Sequence, residues 1–250
     1  MISVCMATYN GAKYIQEQID SILPQLHPDD ELIISDDNSA DTTREIVLSY
    51  GDPRIKLLHF LQNKPSGVTK DRFVTNNFFH ALSHAKGDYI FLCDQDDIWL
   101  PNKITRCLET LQHADIVTHN CTVIDGHKTL LHDSFFELAH TKKGFWPSFL
   151  KMGTHLGCCM AFRRSVLKTI LPMTTVPHDT WICLLTELLY TTMLLPEPLV
   201  MYRRHSANVS KASQRSTLPV WYRIYYRIPI LYQVLMRYCK YKLGLCTTTI

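Results

Sequence analysis

The sequence predicts an α/β protein, a mostly parallel twisted sheet with helices on both faces, and three observations predict it. Short, continuously apolar runs such as ELIIS and DYIFLC alternate with segments of helical periodicity. No internal repeat or low-complexity linker breaks that alternation. The polar clusters fall directly after the apolar runs, where the carboxyl ends of parallel strands carry sites.

Residues 2–7 (ISVCMA) read as the first strand, TYNGAKY as its loop, and Tyr14 to Leu23 as a helix with Ile15, Ile19, Ile22 and Leu23 on one face. ELIIS (31–35) is a second strand, ending in Asp36-Asp37-Asn38-Ser39, and a helix from about Asp41 carries Ile46, Val47 and Tyr50. IKLLHF (55–60) is a third strand. From Asp71 to Ala85 the spacing of Phe73, Phe78, Leu82 and Ala85 is helical, with Gly87 expected at the C′ position. DYIFLC (88–93) is a fourth strand, followed by a helix from near Pro101. ADIVTHN, GCCMAF and PLVMYRRH read as later strands, SVLKTIL and DTWICLLTELL as later helices.

The 250 residues, 46% hydrophobic and 20% charged, suffice for one large domain and exclude a disordered chain. At this size about three quarters of the unfolded surface can be buried, so the nine cysteines are not needed as staples. Odd in number, lacking C-x-x-C and set in apolar runs, they read as reduced, buried thiols in a cytosolic protein. ISVCMAT has no basic segment, apolar core or cleavage site of a secretory signal, and no run of 18 apolar residues suggests a spanning helix.

The net charge of +3 hides an asymmetry. Nine of the 26 Lys/Arg and none of the 23 Asp/Glu lie from Pro198 onward, so the first 197 residues carry an excess of six negative charges. Residues 219–243 interleave seven Trp/Tyr with five Lys/Arg, a pattern suited to an anionic bilayer surface. Pro229 predicts two short helices there. The alternative is that these aromatics pack back on the domain. No nucleic-acid-binding pattern accompanies them.

CDQDDIW is the sharpest chemical signal. Asp94, Asp96 and Asp97 would repel one another unless a cation sat among them, and a hard ion, Mg²⁺ or Mn²⁺, prefers such oxygens. The plainer reading is a solvated acidic turn before a helix. Thr8, Tyr9 and Asn10 after the first strand, and Asp36 and Asp37 after the second, fall at adjacent strand ends, where a base and a ribose can be gripped beside the metal. Asp36 and Asp37 also suit an Asx-turn and a helix cap, or can accept from the imino N–H of a pyrimidine.

In that order SVCMATYNGAKYIQEQIDSI, LIISDDNSADTT, the loop Asn63 to Gly67, NNFFHALSHAKGDYIFLCDQDDIWLPNKI, GCCMAF, PHDTWI and YRRHSANVS resemble the family 2 glycosyltransferases of the GT-A fold. The likeness covers about residues 2–210, and DQDDIW, HDTW and YRRH look most like the bacterial subgroup labelled rhamnosyltransferases. THN at 118–120, where relatives often carry an Asp, and Lys70-Asp71-Arg72 depart from the pattern. The resemblance implies transfer of a sugar from a nucleoside diphosphate donor (dTDP-rhamnose or a UDP-hexose) to an acceptor hydroxyl, with inversion. It implies Asp96 as the direct metal ligand, Asp179 as the base, Asn77 among the donor-binding residues, and Arg203, Arg204 and His205 near the diphosphate. Locally, Asp179 before an apolar helical run also reads as an N-cap, His178 as a packing residue, and Trp99 and Trp181 as core.

The expectation is thus a metal-dependent transferase, with a catalytic domain over 1–210 and a basic aromatic extension over 211–250. It would act on a saccharide acceptor, lipid-linked, from the cytoplasmic face of the membrane in surface polysaccharide synthesis. A nucleotidyltransferase would show a Gly- and Arg-rich triphosphate loop, which TYNGAKY lacks, and a non-catalytic adaptor would show a broken acidic cluster.

Overall fold

A computed structural model of the chain describes residues 1–65, 67–172, 174–205 and 219–246. The strands are β1 (Ile2–Thr8), β2 (Glu31–Asp36), β3 (Ile55–His59), β4 (Tyr89–Asp94), β5 (Ile98–Trp99), β6 (Ile116–Asp125), β7 (Leu130–His132), β8 (Met160–Arg163) and β9 (Thr192–Arg204). The α-helices are α1 (Ile15–Ile22), α2 (Thr43–Ser49), α3 (Lys70–Ser83), α4 (Lys103–Leu111), α5 (Phe135–Ala139), α6 (Phe145–Leu150), α7 (Leu167–Ile170), α8 (His178–Leu189) and α9 (Val220–Lys242). All nine strands join one sheet, in the order β3-β2-β1-β4-β8-β6-β9-β5 with β7 on β6.

The fold is the α/β class expected, and its parallel pairing falls in two blocks, β3-β2-β1-β4 and β6-β9. β3, β2, β1 and β4 pair in parallel, whereas β8 runs antiparallel between β4 and β6, and β5 antiparallel to β9. Alternation along the strands explains the helices on both faces. Val4, Met6, Leu32, Ile34 and Phe91 pack on the side of α1 and α4, while Cys5, Ile33, Ile90 and Leu92 pack on the side of α3 and α8. Seven of the nine cysteines are buried and none is in a disulfide.

Glu31, 1% exposed, ties the strand starts together. Its carboxylate accepts from Ser3 Oγ, from Lys56 Nζ and, at 2.8 Å, from Lys86 N. Burial pushes its pKa up, but the bonds from Lys56, Ser3 and Lys86 outweigh burial and hold it below the usual value. Glu31→Gln is expected to cost about 2 kcal/mol at neutral pH. Because the folded pKa is depressed, the carboxylate's contribution is present above the ordinary glutamate value of about 4.3 and is lost as pH falls through the folded one. Urea midpoints of the two proteins should therefore converge as the solution is acidified.

Two local expectations change in the structure. Gly87 is not a helix terminator: α3 ends at Ser83 with His84 as its C-cap. A Cβ at Gly87 would stand 2.5 Å from Ser3 N, so it is the close approach of β1 that requires glycine. The tail forms one helix, α9, which continues through Pro229. The lost N–H is tolerated because the helix is held on each side of it: Arg227 donates to Phe149 O before the proline, and after it Val234 is fully buried while Ile230 and Leu231 lie against the core that includes α8. The domain boundary expected at 210 lies outside the described residues.

Candidate active site

The carboxyl ends of β1 and β4 open into one cleft of about 1850 Å³. Thr8, Tyr9, Asn10, Asp37, Asn77, Asp94, Asp96, Asp179 and His205, all expected from the sequence, line it. Asp36, Asp97 and Arg203 do not.

Asp36 and Arg203 serve the scaffold, and Asp97 lies beneath the cleft with one oxygen bound and the other open to an ion. Asp36 is fully buried and its carboxylate accepts from Ser39 N at 3.0 Å and Ser39 Oγ at 2.5 Å, so it closes the 36–39 loop three residues on rather than as the two-residue Asx-turn expected. Asp97, also fully buried, accepts from Arg203 N at 2.9 Å. Arg203, 1% exposed, donates from Nε to Asp96 O at 2.8 Å, pairs with Glu17 at 2.5 Å and lies over the Tyr14 ring. Its short contacts make it a buried strut for the acidic turn rather than a phosphate grip.

The acidic cluster is folded together by topology. β5 follows it immediately and pairs with the end of β9, Ile98 with Met201 and Trp99 with Val200. That pairing returns His205 to the cluster, where its Nε2 lies 2.8 Å from Asp96 Oδ2. Asp94 and Asp97 meet Cys158, with one potential ligand atom from each within 4.8 Å of the others. Burial, then Asp96, then Asp179 raise Asp94 to about 7, and Asp97 is driven well above its usual value by burial first and by Asp96 next. Asp97 Oδ2 is buried with no hydrogen-bond partner. Carboxylates that resist ionising together, one with an orphaned oxygen, fit a hard divalent cation. The Cys158 thiol is held neutral, its pKa pushed well up by Cys159 first and by burial next, so carboxylate oxygens are the hard donors.

At the carboxyl ends of β1 and β4, Gln95 staples two strand ends. Its Oε1 accepts from Thr8 Oγ1 at 2.5 Å and from Tyr9 N at 2.9 Å, while its Nε2 donates to Tyr9 O at 3.2 Å. Asn77 reaches from α3 to donate to Thr8 O at 3.0 Å, and its Oδ1 is buried without a partner. Lys64 pairs with Asp37 at 2.8 Å and stands 3.9 Å from the centre of the half-exposed Tyr9 ring. Sequence reasoning missed Gln95, Lys64 and Tyr14. Gln95, between two aspartates of DQDD, carried a local signal, whereas Lys64 becomes visible only once its loop is folded over Tyr9.

Asp179 lines the same cleft from the first turn of α8. The N-cap is Pro177, so Asp179 does not fill that position, and its Oδ1 accepts from Thr180 N at 2.5 Å. His178 packs: its ring stacks on Phe78 at 4.2 Å, and burial lowers its pKa. Trp181 is fully buried and donates to Ile170 O at 2.9 Å, and Trp99 is 3% exposed, so both belong to the core.

A Cβ at Gly157 would stand 2.5 Å from His178 Nε2. Gly157→Ala is therefore expected to push on the start of α8 and cost about 1–3 kcal/mol of stability. It should lower turnover more than nucleotide affinity, which thermal melts and steady-state kinetics would separate.

A covered α/β sheet whose strand ends carry an acidic cluster in one cleft with a further carboxylate is the build of a group-transfer enzyme. Residues 3–171 match the family described as glycosyl transferase family 2, and the chain belongs to that family and is a glycosyltransferase. The dTDP-rhamnosyl transferase RfbG of Shigella flexneri is 30% identical over 250 residues, covering 87% of this chain and 81% of that protein. The UDP-Glc:alpha-D-GlcNAc-diphosphoundecaprenol beta-1,3-glucosyltransferase WfgD of Escherichia coli is 31% identical over 134 residues, 54% of this chain and 48% of that enzyme. The crystal structure of S. aureus TarS with UDP superposes with a TM-score of 0.63 at 18% identity. It is covered over 81% of this chain but 60% of its own length, and this likeness carries the fold alone.

Proposed function

We propose that the protein is an inverting, metal-dependent transferase that moves a sugar from a pyrimidine nucleoside diphosphate to a hydroxyl of a lipid-linked saccharide in surface polysaccharide synthesis. The carrying observation is that Asp94, Asp96 and His205 share one cleft with Asp179. Its volume, about 1850 Å³, exceeds the roughly 300–1,000 Å³ usual for one small ligand and suits two substrates. dTDP-rhamnose and a UDP-hexose are the candidate donors, in line with what the names of RfbG and WfgD say of those proteins.

In this reading Tyr9, Asn10 and Asp37 hold the base and ribose, with Thr8 and Asn77 fixing the loop that carries them. Asp37 exchanges its bond to Lys64 for the pyrimidine imino N–H. Asp94, Asp96 and Asp97 hold Mg²⁺ or Mn²⁺ near His205, and the ion supplies charge neutralisation for the leaving diphosphate. Asp179 accepts the proton of the attacking hydroxyl. The catalytic portion is assigned to 1–210 and the remainder to an extension at the cytoplasmic membrane face. Among the described residues no helix is long and apolar enough to cross a membrane. Trp221, Tyr225, Ile228 and Tyr232 of α9 are each at least 60% exposed, which supports contact with the bilayer surface.

Calorimetric titration with dTDP, UDP and GDP, with and without Mn²⁺, tests the reading. Mn²⁺-dependent binding of a pyrimidine diphosphate and not of GDP is the expected result. Binding of none of the three would overturn it.

A further inference from the structure

The extension is more than an appendage beside the cleft, because part of α9 forms the cleft wall. Tyr226, Arg227, Pro229, Ile230 and Gln233 line the same space as Asp179. The face bearing Trp221, Tyr225, Ile228 and Tyr232 follows i, i+4, i+7 and i+11 spacing and is exposed. One helix therefore presents an apolar stripe to the outside and a second, mixed stripe to the substrate space.

The seam between α6 and α9 connects the two. Arg227 donates from Nε to Phe149 O at 3.2 Å and from Nη2 to Leu150 O at 3.1 Å, closing the α9 guanidinium over the last turn of α6. The next residue, Lys151, is exposed and lines the cleft. Trp146 and Leu150, one turn apart on α6, are 60% and 66% exposed, and Leu150 also lines the cleft. An apolar track thus runs from the outer surface into the cleft past two cations. The carboxylates of Asp71 and Asp179 line the same cleft, and their suitable partners are hydroxyl groups rather than phosphates.

We propose that this seam admits a membrane-embedded polyprenyl diphosphate-linked acceptor, an inference that rests on the transferase reading above. The lipid lies along Trp146, Leu150 and Ile230, the diphosphate meets Lys151 and Arg227, and the saccharide extends toward Asp179. Apolar rails with cations at their inner end complement this amphiphile, in which a long apolar chain ends in a diphosphate.

The test uses the full chain and two phosphatidylcholine vesicle preparations, one carrying undecaprenyl diphosphate and the other phosphatidylglycerol at matched surface charge. The wild type is expected to bind the diphosphate vesicles about tenfold tighter, the worth of one charge-assisted contact. Lys151→Glu, at an exposed position and with an unchanged melting temperature, should lose that preference while still binding the phosphatidylglycerol vesicles. Equal wild-type binding to both preparations would overturn the seam, as would a preference that survives Lys151→Glu or an equal loss on both. Titration of the same samples with UDP, dTDP and Mn²⁺ keeps the two readings separable: intact nucleotide binding without a vesicle preference rejects the seam alone.

Discussion

Replacing Asp179 by asparagine is expected to lower kcat by about 10²–10⁴-fold, the usual worth of a positioned general base. The amide keeps the size of the carboxyl group and the acceptor oxygen for Thr180 N, so the first turn of α8 should persist. What disappears is the capacity to take a proton. Nucleoside diphosphate affinity should change far less than kcat, because the donor-side residues belong to other elements and the charge of Asp179 acts on Asp94 less than burial or Asp96 does. Single-turnover kinetics beside calorimetry would separate the two. Wild-type turnover in this variant would reassign Asp179 to a purely structural place at the start of the helix.

The second large effect is expected for Asp96→Ala. Its carboxylate is 2.8 Å from His205 Nε2, and its neighbours Asp94 and Asp97 have raised pKa values partly because of its charge. Removing it takes away a hard oxygen donor and the partner that holds His205 at the cluster. The Mn²⁺-dependent increment in nucleoside diphosphate binding should fall by about 100-fold or more, at the upper end of what loss of a metal site's supporting partner costs. The fold should survive, since the backbone carbonyl of Asp96 still accepts from Arg203 Nε. Unchanged affinity in excess Mn²⁺ would place the ion elsewhere. A chelator titration of the wild type gives the complementary measure, removing metal while leaving Asp96 in place.

Much of this site is legible in the linear chain because it consists of strand ends. In a parallel sheet each apolar run delivers the next polar residues to the same edge, so Thr8, Tyr9, Asn10, Asp37, Asp94 and Asp96 could be grouped before any coordinates existed. Function within that group was less legible. Asp36 and Asp37 are adjacent and chemically identical, yet one closes a turn on Ser39 and the other faces the cleft. Residues next to each other along an extended backbone point to opposite sides. Arg203 and His205 divide for a different reason: alternation would put residues two apart on one side, but β9 ends at Arg204, so Arg203 is buried beneath the acidic turn while His205, beyond the strand, borders the cleft.

The sequence by itself determined the α/β class, the order of the elements, the edge of the sheet where chemistry occurs and the reduced, buried state of most cysteines, because these follow from local periodicity and composition. Only the tertiary structure decided that the second half of the sheet is mixed, that β5 and β9 bring His205 to Asp96, and that a continuous α9 walls the cleft. These depend on contacts between residues more than a hundred positions apart or on packing that outweighs a proline. Local patterning carries no term for either, since their free energy arises only when distant surfaces are buried together.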